Sequence, residues 1–133
     1  IDTPPALNVL TVNAYVASDH LIIPMVPEIL SLLGVSQLKE TFLAVQKFYN
    51  SKLSILGILL TKYNGRTILA REVLEMAENI ASQLDTVVLD AKIRPAVAVA
   101  ESPAHGTSIF EYAPKSNPAE DYNSLIDEIL AKF

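Results

Sequence analysis

The chain has 133 residues, of which 50% are hydrophobic and 19% charged, with a formal net charge of −5 at pH 7. This length suits one compact domain, which we predict to span residues 1–133, and no apolar run approaches the ~20 residues that cross a bilayer. The lack of cysteine excludes disulfide frameworks and thiolate metal sites, and the acidic balance argues against a nucleic-acid binder that relies on overall charge.

The chain starts with a pattern typical of the end of a buried strand. Ile1 and Asp2 run directly into a proline pair, so we expect a truncated or partly observed polypeptide. The prolines can open a helix at its first turn, because the missing N–H costs little there. A helix of about 12 residues is therefore predicted to end near Ser18. Its apolar stripe is Leu7, Leu10, Ala14 and Ala17.

Strand-like and helical patterns alternate after this helix. Short apolar runs typical of strands covered on both faces occupy residues 20–27, 53–61 and 86–89. Helical periodicity occupies residues 28–49, 66–84 and 118–132. The apolar stripes predicted to face the core are Val35, Leu38, Phe42, Val45 and Tyr49 in the first helix, Leu69, Val73, Met76, Ile80 and Leu84 in the second, and Tyr122, Leu125, Ile126, Ile129 and Phe133 in the third. No helix or strand is predicted in the proline-punctuated stretch between the last strand and the last helix.

This alternation predicts an α/β fold, a mostly parallel sheet with helices on both faces. Ligands of such sheets bind outside the carboxyl ends of the strands. Those ends are predicted at residues 2–3, 24–27, 61–64 and 89–95. Asp2 is thus a candidate magnesium ligand, although an aspartate before a proline pair also suits a helix N-cap. Both interpretations stay open from these residues alone.

A longer pattern surrounds Asp2. The segment Asp2-Thr3-Pro4-Pro5, followed by residues 10–14 and 17–19, resembles the Walker B region and following helix of ParA/Soj partition ATPases. These are deviant-Walker P-loop proteins related to MinD. The similarity continues in order through residues 23–24, 34–38, 56–61, 100–106, 112–116 and 119–122. It therefore covers nearly the whole chain and implies a partial P-loop NTPase-like fold.

The phosphate-binding loop of that family is not found in this sequence. The chain has four glycines, none in a cluster, and no Gly-Lys-Thr or Gly-Lys-Ser. Such a loop cradles phosphates with backbone N–H groups and a lysine. The resemblance therefore identifies the chain as the carboxyl-terminal portion of a ParA-like ATPase domain. We expect this chain alone neither to bind nor to hydrolyse ATP.

The resemblance also implies roles for individual residues. Asp2 would orient Mg²⁺ through water, Thr61 and Lys62 would lie near the adenine, and Arg94 and Pro95 would belong to a loop that closes over the base. A solvated loop charge is the alternative for Lys62 and Arg94. No catalytic residue is assigned, because the hydrolytic aspartate of the family lies upstream.

Nonspecific DNA binding is a further property that the resemblance implies. Neutralising phosphates requires clustered basic side chains. The candidates are Arg66, Arg71, Lys92, Arg94 and Lys115. Thr107 and Ala98 stand where members of the family carry basic residues, which weakens this prediction.

The leading hypothesis is a cytoplasmic, nucleoid-associated ATPase that partitions plasmid or chromosomal DNA. It would use ATP and Mg²⁺, form a homodimer, bind DNA and be stimulated by a ParB-like partner, without a membrane. The alternatives are a non-catalytic dimerising interaction module and a MinD-like cargo-positioning ATPase. The acidic last helix, with Asp127 and Glu128, argues against membrane attachment of the MinD kind. An unpaired edge on the strand at residues 21–26 would favour self-association.

Overall fold

The computed structural model describes residues 1–4 and 8–133. Its elements in chain order are α1 (Val9–Val16), β1 (His20–Met25), α2 (Ile29–Phe48), β2 (Ser54–Leu60), α3 (Ile68–Gln83), α4 (Val97–Ala104), α5 (Ile109–Tyr112) and α6 (Asn117–Leu130). None of the described helices is both long enough and apolar enough to span a bilayer.

β2 is the centre of the sheet. β1 pairs with it in parallel from His20 opposite Ser54 to Met25 opposite Leu60, with one irregularity after Leu21. On the other side of β2, two isolated parallel pairings join Ile58 to Val88 and Thr61 to Ile93. The α/β fold with a parallel sheet is therefore confirmed.

The third strand, predicted at residues 86–89, is present only as these two pairings. The chain between them leaves the sheet, because the N–H groups of Asp90 and Ala91 donate to the Glu128 carboxylate of α6 instead of to β2. The segment is therefore anchored by side chains as well as by the backbone.

The second edge of β1 has no strand partner among the described residues. A cavity of about 670 Å³ borders this edge and is bounded by α1, α2 and residues from the start of the chain. Self-association through this edge stays a prediction.

Apolar side chains cover β2 on both faces, whereas Ile22 and Pro24 of β1 are exposed, so the prediction that β1 is covered on both faces is wrong. Neighbouring residues of a strand point to opposite faces, and here Leu60 joins a large core while Leu59 joins a small one. The large core lies between the sheet and α1, α2 and α3. The small core joins Leu59 to Leu89, Ile93 and Leu125, with Tyr122 and Ile129 packed against it.

The beginning of the chain differs from the prediction. Residues 1–4 form neither helix nor strand, and Ile1 is exposed, so the predicted strand end is wrong for these residues. Asn8 caps α1, because its side-chain oxygen accepts the N–H groups of Leu10 at 2.9 Å and Thr11 at 3.3 Å. Asp2 is therefore not the N-cap of α1.

The predicted buried faces of the helices are confirmed in part, because Phe42 and Val45 of α2 and Val73 of α3 are buried as expected, but other positions are wrong. In α1 the buried residues are Thr11, Ala14 and Tyr15, whereas Leu10 and Ala17 are exposed and Leu7 lies outside the described residues. In α3, small residues allow close approach to the sheet, and those buried are Ala70, Val73, Ala77 and Ala81. The predicted stripe residues that are exposed instead are Leu69, Met76, Tyr49, Ile126 and Phe133. In α3 the prediction favoured the larger apolar side chains, but close packing against the sheet buries alanines instead.

The proline-punctuated stretch contains two helices, α4 and α5, that were not predicted. Pro103 lies in the last turn of α4, where it removes only one backbone donor. The hydroxyl of Ser108 accepts the N–H of Glu111 and caps α5. Prolines and glycines that looked like breaks therefore lie at helix ends.

Candidate functional site

Three segments meet where β2 ends. The N–H of Thr61 donates to the carbonyl of Met25 at 2.8 Å, at the end of β1. The N–H of Ile93 donates to the carbonyl of Leu60, and the N–H of Tyr63 donates to the carbonyl of Ile93, both at 2.9 Å. The chain after β2 is thereby tied on both sides at the carboxyl edge of the sheet.

Lys62 turns the chain at this point. Its φ of 52° lies in the left-handed region, which is unfavourable for a residue with a Cβ. The side chain of Lys62 is exposed. Such backbone strain is found preferentially at binding and catalytic sites, so Lys62 marks this edge as a candidate site.

A pocket of about 660 Å³ opens beside this turn. Its lining residues are Thr61, Lys62, Ile93, Arg94, Pro95, Ala96, Val97, Val99, Ala100 and Tyr122. The four residues predicted to lie near a nucleotide base, Thr61, Lys62, Arg94 and Pro95, are thus brought together. Concave, mainly apolar walls with a few polar groups are typical of small-molecule sites.

Two parts of the pocket wall were not predicted. The first turn of α4 supplies Val97, Val99 and Ala100, from a helix that the sequence analysis missed. Tyr122 of α6 was predicted as core, and it does contact the small core while also lining the pocket. The aliphatic run that follows Pro95 was the signal in the sequence for the α4 wall.

Two carboxylates of α6 hold the segment before the pocket. The Glu128 oxygens accept the N–H groups of Asp90 at 3.0 Å and Ala91 at 2.8 Å. Asp121 accepts the backbone N–H of Arg94 at 2.9 Å. Asp121 also binds the guanidinium of Arg94, with Nε at 2.9 and 3.0 Å and an Nη nitrogen at 2.7 Å. Residues 90–94 are therefore fixed to α6 as well as to β2.

The ion pair between Arg94 and Asp121 changes the acid–base properties of both groups. Burial by itself would raise the pKa of Asp121, but the side-chain and backbone hydrogen bonds from Arg94 outweigh it, and the pKa lies below its usual value. The hydrogen bond to Asp121 chiefly raises the pKa of Arg94. Both groups are therefore charged at neutral pH.

The predicted DNA-binding residues fall into two sets. Lys92 and Arg94 share a hollow with Asp90, Asp121 and Glu128, and the charge of Arg94 is paired with Asp121. Nζ of Lys92 also donates to the carbonyl of Asp90 at 3.2 Å. The other three side chains are exposed, and they are Arg66, Arg71 and Lys115.

Asp2 is exposed and does not line the 660 Å³ pocket. Within residues 1–4 and 8–133, no group of three or more histidine, aspartate and glutamate side chains is placed to hold a metal ion. A magnesium ion bound mainly by water and phosphate oxygens needs only one or two carboxylates. The donor chemistry of Asp2 fits such an ion, and its role stays a prediction.

Comparison with known proteins identifies relatives along almost the whole chain. The sporulation initiation inhibitor protein Soj of Bacillus subtilis is 40% identical over 131 residues, which cover 98% of this chain and 51% of that protein. The chromosome-partitioning ATPase Soj of Thermus thermophilus is 35% identical over 133 residues, covering 99% of this chain and 52% of that protein. The chain is homologous to the Soj/ParA partition ATPases. The resemblance seen in its motifs is confirmed.

The match to the Soj/ParA proteins covers nearly all of this chain but only part of those proteins. A family model described as an AAA domain matches residues 1–55. The chain spans about half the length of the curated relatives that it matches. The activity and partners of those whole proteins are therefore considered below as proposals.

Solved structures share the fold of this Soj/ParA homologue. Cobyrinic acid a,c-diamide synthase from Mycobacterium smegmatis matches with a TM-score of 0.74 and 32% identity, over 97% of this chain and 44% of that one. The same synthase with bound ATP analogue and magnesium matches with a TM-score of 0.61 and 37% identity, over 71% of this chain and 38% of that one. A ParA family ATPase from Chlorobium tepidum matches with a TM-score of 0.64 and 21% identity, over 94% and 46% of the two chains, which shows the fold alone.

Proposed function

We propose that this chain is part of a ParA-like ATPase that partitions plasmid or chromosomal DNA. The homology to Soj/ParA proteins at 35–40% identity over nearly the whole chain is the observation that carries this proposal. The pocket at the carboxyl end of β2 supports it, because ligands of open α/β sheets bind at this edge.

The pocket suits the base of a nucleotide. A planar base has apolar faces and a polar edge, which fits walls made by Pro95, Val99 and Tyr122 with the polar groups of Thr61 and Lys62 at the side. Thr61 is also held in place, since its N–H donates to Met25. We therefore assign Thr61, Lys62, Arg94 and Pro95 to the adenine side of an ATP site.

Magnesium would be oriented by Asp2, through water. When bound, the ion would neutralise charge on the phosphates of ATP. The exposed carboxylate of Asp2 is free of a helix-capping role, because Asn8 caps α1.

The proposed cycle includes a homodimer, nonspecific DNA and a ParB-like partner. Nucleotide favours association only if it makes contacts in the dimer that the monomer lacks. Of the proposed DNA-binding residues, Arg66, Arg71 and Lys115 are exposed. We expect them to contribute more than Lys92, which donates to the carbonyl of Asp90, and Arg94, which is paired with Asp121.

Calorimetric titration with ATP and Mg²⁺ tests the nucleotide proposal. We expect no micromolar binding to the 133-residue chain, whose sequence has no phosphate-binding loop, and saturable binding to the product of its whole open reading frame. In the latter, Ala100→Leu should fill part of the pocket and weaken ATP binding roughly tenfold. Ala104→Leu is the matched control, because Ala104 is exposed on the same helix and lies outside the pocket lining.

Two results would contradict the proposal. Equal ATP affinities of the Ala100→Leu and Ala104→Leu proteins would show that the base does not bind in this pocket. The absence of ATP binding by the whole gene product would remove the ATPase function and favour the non-catalytic interaction module.

Filter binding to DNA across a salt series tests the DNA proposal. Replacing Arg66, Arg71 and Lys115 by alanine together should lower the salt dependence of binding by about three units, about one for each lost phosphate contact. An unchanged slope would show that these side chains do not contact DNA.

A further inference from the structure

Residues 90–94 form the approach to the pocket, and nearly all of their backbone donors are used. Glu128 accepts the N–H groups of Asp90 and Ala91, β2 accepts that of Ile93, and Asp121 accepts that of Arg94. A loop that lacks a continuous strand partner is usually among the more mobile parts of a fold. Here its donors are instead shared between the sheet and one face of α6.

The two carboxylates lie seven residues apart on α6, which is two helical turns, and Leu125 lies between them. Leu125 is buried against Leu89 and Ile93, so the face of α6 that carries the carboxylates is packed onto the segment itself. The side chain of Asp121 is only 11% exposed, although that of its partner Arg94 is 45% exposed. The carboxylates are thus held against the loop by the small core and are not free surface charges.

The guanidinium of Arg94 is committed to α6. Besides its bonds to Asp121, an Nη nitrogen donates to the carbonyl of Asn117 at 3.2 Å and lies 3.7 Å from a Glu120 oxygen. Since Arg94, Pro95 and Ala96 line the pocket in succession, the position of Arg94 sets the path of this wall into α4. The same contacts pair the positive charge of Arg94 with carboxylates of α6.

We propose that Asp121 and Glu128 are positioning residues, which hold residues 90–94 against α6 and thereby fix the Arg94–Ala96 wall of the pocket. Their effect on ligand affinity rests on the proposed function, whereas their effect on the loop does not. The expected ligand effect is on the base side of the site, since Thr61, Lys62, Arg94 and Pro95 are the residues assigned to it.

The test uses two variants and one matched control. In Glu128→Gln the side chain keeps one accepting oxygen but presents an NH₂ group to the second backbone N–H, so one of the two hydrogen bonds is lost. Asp121→Asn likewise presents an NH₂ group to donors of Arg94, and both variants remove one negative charge, as the control also does. Asp127→Asn is the control, because Asp127 lies on the same helix, is exposed and makes no side-chain hydrogen bond or ion pair within the described residues.

Amide hydrogen exchange and methyl NMR of the 133-residue chain test the positioning directly. Exchange should accelerate by at least about tenfold at Asp90 and Ala91 in Glu128→Gln, and at Arg94 in Asp121→Asn. The Val97 and Val99 methyl signals should shift in both variants and remain in place in Asp127→Asn. Unchanged exchange and unchanged methyl signals in both variants would overturn the proposal. If one variant fails to fold, the other decides.

Nucleotide binding by the product of the whole reading frame tests the consequence. Both variants should lower the affinity for ATP roughly tenfold. The affinity for inorganic tripolyphosphate, which has no base, should remain that of the unaltered protein. Equal losses for ATP and tripolyphosphate would show a general structural defect and overturn the base-side role. If the unaltered protein binds no ATP, the proposed function fails, and the exchange and methyl measurements still decide whether the carboxylates position the loop.

Discussion

The two sides of β2 are built differently. On one side β1 forms a ladder along its whole length, from His20 to Met25. On the other side the described backbone pairs with β2 only at Val88 and Ile93, and side chains supply further anchors. The hydroxyl of Thr86 donates to the carbonyl of Ile55 at 2.8 Å, and Glu128 and Asp121 accept the donors of the segment from α6.

The side of β2 that pairs with β1 supports the sheet, whereas the candidate site lies on the opposite side. A regular ladder uses its backbone groups within the sheet and leaves few of them for a ligand. The segment on the other side, residues 86–93, is called the irregular side. It departs from the sheet after Leu89, returns at Ile93 and then leads into the pocket through Arg94 and Pro95. The pocket therefore lies on the side whose geometry depends on side-chain contacts.

The largest expected effect comes from removing the apolar anchor of the irregular side. Leu89 is 0% exposed in the small core, so Leu89→Ala should lower the free energy of unfolding by about 2–5 kcal/mol. Urea denaturation measures this. Val87→Ala is the control, because Val87 is 49% exposed and should cost much less. Equal losses in the two variants would mean that the irregular side is not anchored by the small core.

Gly57 makes the close approach of the irregular side possible. A Cβ at this position would lie 2.5 Å from Cδ2 of Leu89 and 3.3 Å from the carbonyl oxygen of Val87. Gly57→Ala should therefore cost about 1–3 kcal/mol of stability. Gly34→Ala, in α2 where a Cβ meets nothing within 4 Å, should be neutral or stabilising by up to about 1 kcal/mol. Thermal unfolding of both variants checks this, and a stable Gly57→Ala protein would contradict the close contact.

The contribution of Asp121 to the free energy of unfolding should depend on pH. Its pKa in the folded protein lies below the usual value, so its stabilising effect is complete above the pKa of the unfolded chain and disappears as pH falls through the lower folded pKa. Asp121→Asn should thus be less stable than the unaltered chain at pH 7. The difference should begin to shrink as the pH falls below about 4, the usual aspartate pKa, and should disappear only below the lower pKa of the folded protein. Urea denaturation at several pH values measures the difference. A gap that persisted at the acidic end would point to a cause other than the ionised carboxylate.

The smallest expected effect concerns the turn that ends β2. Lys62→Gly removes the penalty of a Cβ at positive φ, whereas Lys62→Ala keeps it and removes only the charge. The glycine variant should therefore be more stable than the alanine variant by about 1 kcal/mol, partly offset by the greater freedom of glycine in the unfolded chain. Chemical denaturation of both variants gives the comparison. Greater stability of the alanine variant would show that Lys62 is not strained in solution.

The amino-acid sequence by itself determined β1, β2 and the edge of the sheet at which the pocket lies, but not the third strand, which is present only as isolated pairings. The apolar runs at β1 and β2 have the length and continuity of strands, and carboxyl ends of parallel strands must share one edge of the sheet. That rule is sufficient to place Thr61 and Lys62 near Arg94 and Pro95. The family resemblance could also be recognised from sequence alone, because its motifs are short local segments that follow one another in order along the chain.

Tertiary structure alone decided which faces are buried and what holds the irregular segment. In α3 the close contact with the sheet favours Ala77, and periodicity alone could not separate it from the exposed Met76. Glu128 looked like a solvated charge on an acidic helix, because its partner N–H groups lie 37 and 38 residues away in sequence. Asp121 likewise meets Arg94 across 27 residues. Local patterns record helical and strand propensity, but a carboxylate becomes an anchor only when packing of the small core brings a distant backbone donor to it.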